Sequence, residues 1–298
     1  MEEKVLYSME SPFQQEINVK GYYFGKNEGK EHSACIVGAL RGNEYQQLYI
    51  CSKLIDVLKK IEKHGDIVGE NGILVIPSVS NMSMDFGKRF WISDDTDLNR
   101  LFPGNPSGES GSRVAYAIME TTKGYRYGIH LPSFYLGGTF MPHIRLLDPE
   151  HGSTSLANLF GLPYVIEAKS RPFDRTTLHN NWQKNGTEAF SLYTGMTGKI
   201  DDELAAQAVS SILRFLTRMG IIRYYSHSGY IASVLKEGDL EPIMTEAAGI
   251  FIKKAECGQE VSRGDVLAQI MKADSGEIIS EVKAPTDGII FYAETRPV

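Results

Sequence analysis

The sequence predicts an α/β protein with a mixed, mainly parallel sheet flanked by helices, followed by a small C-terminal all-β domain. Three observations lead there. An unbroken apolar run, Ser33–Leu40 (SACIVGAL), is followed by an amphipathic segment and then by a second apolar run, Ile73–Ile76. That alternation recurs as far as about residue 222. Beyond it the texture changes to short β-rich runs punctuated by Gly, Asp and Pro.

Each element has its own signal. A run that is apolar at consecutive positions suits a strand buried on both faces, as parallel sheets require. After it, Leu48, Cys51, Leu54, Ile55, Leu58 and Ile61 recur at three- and four-residue spacing, and Gly65 stands where such a helix would end. Strand, turn, helix and strand in that order is the signature of a crossover connection. Arg113–Thr122 reads as a helix, Tyr127–Leu131 as a short strand, and Leu162–Ile166 and Ala189–Tyr193 as further strands. Asp201–Met219 carries the stripe Leu204, Ala208, Ile212, Leu216 and Met219 and stops at Gly220. These segments make residues 1–222 one α/β domain. The runs IFIKKA, DVLAQIM, EIISEVKA and GIIFYA make 223–298 a small barrel or sandwich.

The chain of 298 residues is 42% hydrophobic and 23% charged, with a net charge of −6, so nothing favours nucleic acid or an anionic membrane as a partner. No apolar run reaches the roughly 18 residues of a membrane span, and MEEKVLYSME lacks the pattern of a signal peptide. Cys35 and Cys51 sit in apolar segments, and Cys257 completes an odd set without metal-ligand spacing. Buried, reduced thiols and a cytoplasmic location are the expectation, and oligomerisation is left open.

Four islands carry chemistry. GALRGNE (38–44) lies where a buried strand gives way to a helix, which is where open α/β sheets bind ligands. The polar loop from Pro77 to Gly104 holds Arg89, Asp97, Asn99 and Arg100, and loops of that length are usually functional. GIHLPS (128–133) ends a strand with His130, and SLYTGMTGKID (191–201) precedes the last long helix.

In this order the islands resemble the succinylglutamate desuccinylase/aspartoacylase family, a branch of the zinc-carboxypeptidase-like superfamily. Arg41-Gly42-Asn43-Glu44 is similar to its H-G-x-E-type motif, Asp97 to Gly104 reproduces D-L-N-R-x-F-P-G intact, and Gly128-Ile129-His130 is similar to D-L-H. Pro142 to Arg145 resembles a P-H-[IV]-R element, while Gly258 to Leu267 and Ala284 to Gly288 resemble the appended β domain. The resemblance implies a zinc ion held by Glu44, His130 and a histidine at position 41, with a water in the open position. It also implies Asn99 and Arg100 as the grip on a small substrate's carboxylate, Arg89 polarising the scissile carbonyl, and a glutamate base at position 193. The implied reaction is hydrolysis of the amide of a small N-acyl amino acid or a related carboxylate.

The departures bear on that chemistry. Arg41 stands at the first ligand position, and a guanidinium has no lone pair to give. It would repel a divalent ion about 4 Å away by roughly 8 kcal/mol at an effective dielectric near 20. It can instead pair with Glu44, unless a slip in the correspondence hides a real ligand. Tyr193 stands where the base is expected, and a phenol is a weak base at neutral pH. Gly128 replaces the supporting aspartate. Two readings follow: a deacylase with lost or altered catalysis, or a metal-free relative that binds a carboxylated small molecule without turnover. Asn99 and Arg100 are read as ligand-binding rather than as a self-bonded loop, and Tyr193 as a buried strand aromatic or a pocket wall. His32, His64, His151, His179 and His227 are expected at the surface or in loops, and His143 as a pocket-shaping residue. The C-terminal turns resemble biotinyl/lipoyl-type folds, but Lys283 lacks the hairpin that carries biotin, so no covalent cofactor is expected.

Overall fold

The structure is a computed structural model that describes residues 1–10, 16–26, 32–134, 137–148, 154–226 and 228–296. In chain order its elements begin with β1 (Glu2–Glu10), β2 (Glu16–Gly25), β3 (His32–Ala39), α1 (Tyr45–Lys63), β4 (Gly72–Ser78), α2 (Asn81–Asp85) and α3 (Ser110–Thr121). They continue with β5 (Tyr125–His130), β6 (Thr139–Leu147), α4 (Thr154–Asn158), β7 (Tyr164–Ala168), α5 (Leu178–Lys184), β8 (Glu188–Gly195) and α6 (Asp202–Arg218). The remaining strands are β9 (Ser233–Lys236), β10 (Ile250–Lys253), β11 (Glu260–Val261), β12 (Val266–Met271), β13 (Ile278–Lys283), β14 (Gly288–Ile289) and β15 (Tyr292–Ala293). Single 3-10 turns form at Leu98–Arg100, Pro172–Thr176 and Glu237–Asp239.

The large sheet runs β1-β2-β4-β3-β5-β8-β6-β7-β9, with β15 against β6. Its centre is parallel at β4/β3, β3/β5 and β5/β8, whereas β6 lies antiparallel to β8. The mixed, mainly parallel sheet flanked by helices is therefore as expected. The β1–β2 hairpin, β6 and α5 were not legible in the sequence. β1 is exposed along most of its length, so it shows no clean apolar alternation.

Two apolar layers cover the sheet. On one face α1 and α6 bury Leu54, Leu58, Ile212 and Leu216 against Ile36, Ile129 and Phe190. The stripe of α1 thus faces inward as its spacing requires, and Gly65 ends the helix at φ 77°, a conformation glycine adopts freely. On the other face α3, α5 and the loop after β4 bury Val114, Ile118, Trp182 and Trp91. Cys35 and Cys51 are buried free thiols whose pKa values burial pushes up.

After residue 222 the chain adds β9 beside β7 in the large sheet, forms the small antiparallel sheets β10-β12-β13 and β11-β14, and returns β15 to β6. Among the described residues, no helix is long and apolar enough to cross a membrane.

Candidate functional site

Three loops converge beyond the C-terminal ends of β3 and β5. Glu44, at the start of α1, turns its carboxylate back instead of capping the helix. Its Oε2 accepts the backbone N–H groups of Leu40 at 2.8 Å and Arg41 at 3.0 Å. Its Oε1 accepts Arg41 Nη1 at 3.1 Å, the Ser133 N–H at 3.2 Å and the Ser133 hydroxyl. Arg41 completes the arrangement with Nε and Nη2 on the two oxygens of Asp97, both at 2.9 Å. The expected Arg41–Glu44 pair is present, and Asp97 joins it. Asp97 was visible in the intact D-L-N-R string, but nothing local in the sequence couples it to position 41.

Burial alone would lower the pKa of Arg41, yet Glu44 and Asp97 more than offset it and hold the guanidinium above its ordinary value. Burial likewise pushes the Asp97 carboxyl up, and Arg41 reverses this and leaves it below the usual range. Gly42 is there because nothing larger fits: a Cβ would sit 2.3 Å from both the Lys88 carbonyl oxygen and the Ser83 carbonyl carbon. Its N–H donates to the Arg89 carbonyl at 3.3 Å, which draws Arg89 beside Arg41.

The floor of the cleft is a sheet surface. His130, Ser191 and Arg145 are successive Cα partners across β5, β8 and β6, so their side chains leave the same face. In the next row Tyr193 and His143 are partners, with rings stacked 5.0 Å apart and 2° from parallel. His179 descends from α5, and its Nδ1 lies 2.8 Å from the Ser191 hydroxyl. This corrects the expectation of a surface histidine at 179: the residue is buried, and so is His143. α5 has too few apolar residues for a visible stripe, so its inward face did not show in the sequence. His64 is exposed as expected. His151 and His227 lie outside the described residues, as does the side chain of His32.

Burial lowers the pKa of His130 well below the ordinary histidine value, with Arg41 and His179 adding to the effect. Burial takes His143 down to about 4 and His179 to about 3. All three imidazoles are therefore neutral near pH 7. The Nε2 atoms of His130 and His179 are buried without a hydrogen-bond partner among the described residues. Burial raises the Tyr193 pKa, so its phenol stays protonated.

Of the other expected site residues, Asn99 is buried and Arg89 and Arg100 are half-buried. Asn99 Oδ1 accepts the Leu178 N–H at 3.1 Å. Arg100 donates Nη1 to the Phe173 carbonyl at 3.1 Å, lies 3.6 Å from Asp174 and covers the Phe173 ring. Arg89 is half-buried, donates Nη1 to the Phe134 carbonyl at 3.4 Å, and has no carboxylate within ion-pair distance among the described residues. Burial and the nearby Arg41 charge lower its pKa. Phe134 also lines a cavity of about 10 Å³, roughly the room of one water molecule, together with Gln47, Ser133, Tyr193 and Thr197.

A family model described as the succinylglutamate desuccinylase/aspartoacylase catalytic domain matches residues 30–219. The chain belongs to that family. The N-alpha-acetyl-L-2,4-diaminobutyric acid deacetylase of Halomonas elongata is 23% identical over 291 residues, covering 88% of this chain and 77% of that protein. The fold is similar to a succinylglutamate desuccinylase from Silicibacter sp. TM1040, with a TM-score of 0.81, 18% identity and coverage of 98% and 88% of the two chains. It is also similar to the product-bound ectoine utilization protein EutE (DoeB) from Ruegeria pomeroyi, with a TM-score of 0.79, 18% identity and coverage of 96% and 88%.

The donor set at the desuccinylase/aspartoacylase metal position does not fit zinc. Both Glu44 oxygens are taken by N–H and O–H donors, one of them the Arg41 guanidinium. Among the described residues no group of three or more His, Cys, Asp or Glu side chains could hold a metal ion. His130 alone of the expected trio keeps a free lone pair. The aspartate that would support it has given way to Gly128, where a Cβ would meet Trp182 Cε3 at 2.5 Å. An indole occupies the space that the carboxylate needs.

Proposed function

We propose that this member of the family binds a small N-acyl amino acid or related carboxylate in the cleft between Arg89 and Tyr193, and does not hydrolyse it through a zinc-bound water. Arg89 carries the reading. It is a half-buried cation that bonds the carbonyl of Phe134 and has no carboxylate within ion-pair distance among the described residues, and a planar guanidinium suits bidentate recognition of that group. Family membership supports the ligand class. Phe134 and Phe140 meet edge to face next to Tyr193 and present an apolar surface there.

Amide hydrolysis, the competing reading, has one observation in its favour. Two buried imidazole nitrogens, on His130 and His179, have no partner among the described residues and are free to accept a hydrogen bond or a metal. It requires Arg41 to leave Glu44.

Calorimetry with N-acetyl amino acids and the matching C-terminal amides tests the binding reading. The free acids bind and the amides bind at least about tenfold more weakly, in line with 1.5–3 kcal/mol for a hydrogen bond to a charged group. Arg89→Ala removes that difference. Equal affinity for acid and amide would sink the proposal. Release of acetate at a steady rate with added zinc would decide for hydrolysis.

A further inference from the structure

The large sheet ends in β1 on one side and in β9 on the other, and the two edges are built differently. A free edge offers N–H and C=O groups to another strand, and charges or a bulge are the usual protection. β1 has both: Glu2, Glu3, Lys4 and Glu10 lie along it, and its pairing with β2 slips between Val5 and Tyr7. β9 has neither at its centre. It reads Ser-Val-Leu-Lys, with its one charge at the end, and among the described residues no strand lies on its outer side.

The backbone of β9 leaves one position for pairing. The Ser233 N–H donates to the Pro163 carbonyl at 2.9 Å, so Ser233 and Leu235 turn their backbone groups toward β7. The alternate residues Ala232, Val234 and Lys236 turn theirs outward. Two of those N–H groups are already engaged: Ala232 donates to Asn158 Oδ1 at 3.0 Å, and Lys236 to Asp239 Oδ2 at 2.8 Å. Val234 is left, its N–H and C=O directed away from β7 and its side chain exposed.

Exposed apolar side chains flank this position on both sides. Before it stand Tyr225, Tyr230 and Ile231, exposed by 88%, 61% and 96%, and after it Ile243 and Met244. Tyr224 and Tyr225 precede Val234 by as many residues as Met244 and Ile243 follow it. A two-fold axis through Val234 uses all of this. The two Val234 residues exchange a pair of N–H···O=C bonds, as directly opposed residues of an antiparallel pair do. With the chains running in opposite directions, the tyrosine flank of one copy turns toward the Ile243–Met244 flank of the other. Lys236 falls opposite Ala232 of the partner subunit, so no like charges meet. A buried tyrosine covers about 150–250 Å², so Tyr225, Tyr230 and Ile231 supply on the order of half of the roughly 800 Å² that each partner buries in a stable interface.

We infer that β9 is the pairing edge of a two-fold homodimer, in which a second copy of this chain adds its own β9 antiparallel at Val234 and the two large sheets become one. The charged edge at β1 is a poor match for β9, so the contact closes on itself instead of propagating.

Sedimentation equilibrium of the full chain, from low micromolar to several hundred micromolar, tests the inference, and a reversible monomer–dimer equilibrium is expected. Val234→Pro removes the one N–H that the pairing needs and spares the β7 ladder, because proline is tolerated on an edge strand where the N–H faces outward. Ile231→Asp places a charge in the apolar flank. Each is expected to weaken the dimer at least about tenfold with the thermal midpoint unchanged, whereas Val5→Asp on β1 leaves the equilibrium as it was. Should Val234→Pro fail to fold, the almost fully exposed Ile231 decides alone. A native chain that stays monomeric throughout leaves this face to another partner and overturns the inference. So does a dimer that survives both variants, one that Val5→Asp dissociates, or growth into open-ended oligomers.

Discussion

Arg41 meets Asp97 edge to edge, Nε on Oδ1 and Nη2 on Oδ2, both at 2.9 Å, while its third nitrogen reaches Glu44 at 3.1 Å. One planar cation thereby joins the two motifs that the resemblance assigned to metal and substrate. A fully buried carboxylate such as Glu44 needs a counter-charge or a set of donors. Here the Arg41 guanidinium supplies the counter-charge, at the position where the resemblance implies a histidine ligand, and the Leu40, Arg41 and Ser133 N–H groups with the Ser133 hydroxyl supply the other donors.

Metal content should follow from that arrangement. After dialysis against a modest excess of zinc, the native chain is expected to retain well under one ion per chain. Arg41→His leaves Glu44, His130 and an added imidazole, the three-ligand set of a catalytic zinc site, and should retain about one. Elemental analysis reads the difference. A full equivalent of zinc on the native chain would mean that Arg41 swings away and leaves Glu44 to the ion.

Asp97 is expected to matter for stability as well. Asp97→Asn leaves the buried Arg41 short of half its compensation, and breaking a buried pair from one side costs about 3 kcal/mol or more. The chemical-denaturation midpoint should fall accordingly, whereas Asp94→Asn, in the same loop but exposed, should leave it unmoved. Equal effects of the two substitutions would show that the Arg41–Asp97 contact adds nothing.

Features that depend on local pattern were legible in the sequence. β3, the stripe and end of α1, and the D-L-N-R string each carry their information within a few residues, and the Arg41–Glu44 pair spans only three positions. What was not legible depends on distant coincidence. Asp97 reaches Arg41 through a loop, Arg145 joins His130 only through strand order, and His179 is buried because a short polar helix lies over Ser191. The β1–β2 hairpin escaped for another reason: an edge strand largely open to water does not alternate between apolar and polar positions.

Gly128 offers a separate test. Its missing side chain leaves room for Trp182, whose Nε1 donates to the Thr122 hydroxyl at 2.9 Å. Gly128→Ala drives a methyl group into the indole, and overpacking of this kind costs about 1–3 kcal/mol. Gly128→Asp, which restores the family's carboxylate, should cost more because it also buries a charge against an aromatic ring. Trp182→Leu in the same chain should recover part of the Gly128→Ala loss. Independent, additive penalties in the double variant would rule out the Gly128–Trp182 packing as the cause.

The buried imidazoles predict how stability depends on pH. His143 and His179 ordinarily titrate near 6.5, and in the folded chain burial lowers them to about 4 and about 3. Between those values the unfolded chain takes up protons that the folded chain refuses, so acid favours unfolding. Their contribution is complete above pH 6.5, declines as the pH falls below it, and for His143 is gone by about pH 4. At about 1.4 kcal/mol per pH unit for each group, the two together remove several kcal/mol across that window. The denaturant midpoint should therefore drop steadily from pH 7 to pH 4.5. His143→Phe, which keeps a ring against Tyr193, should make the slope shallower without lowering stability at pH 5. A midpoint that stays flat between pH 7 and pH 5 in the native chain would mean that water reaches these rings.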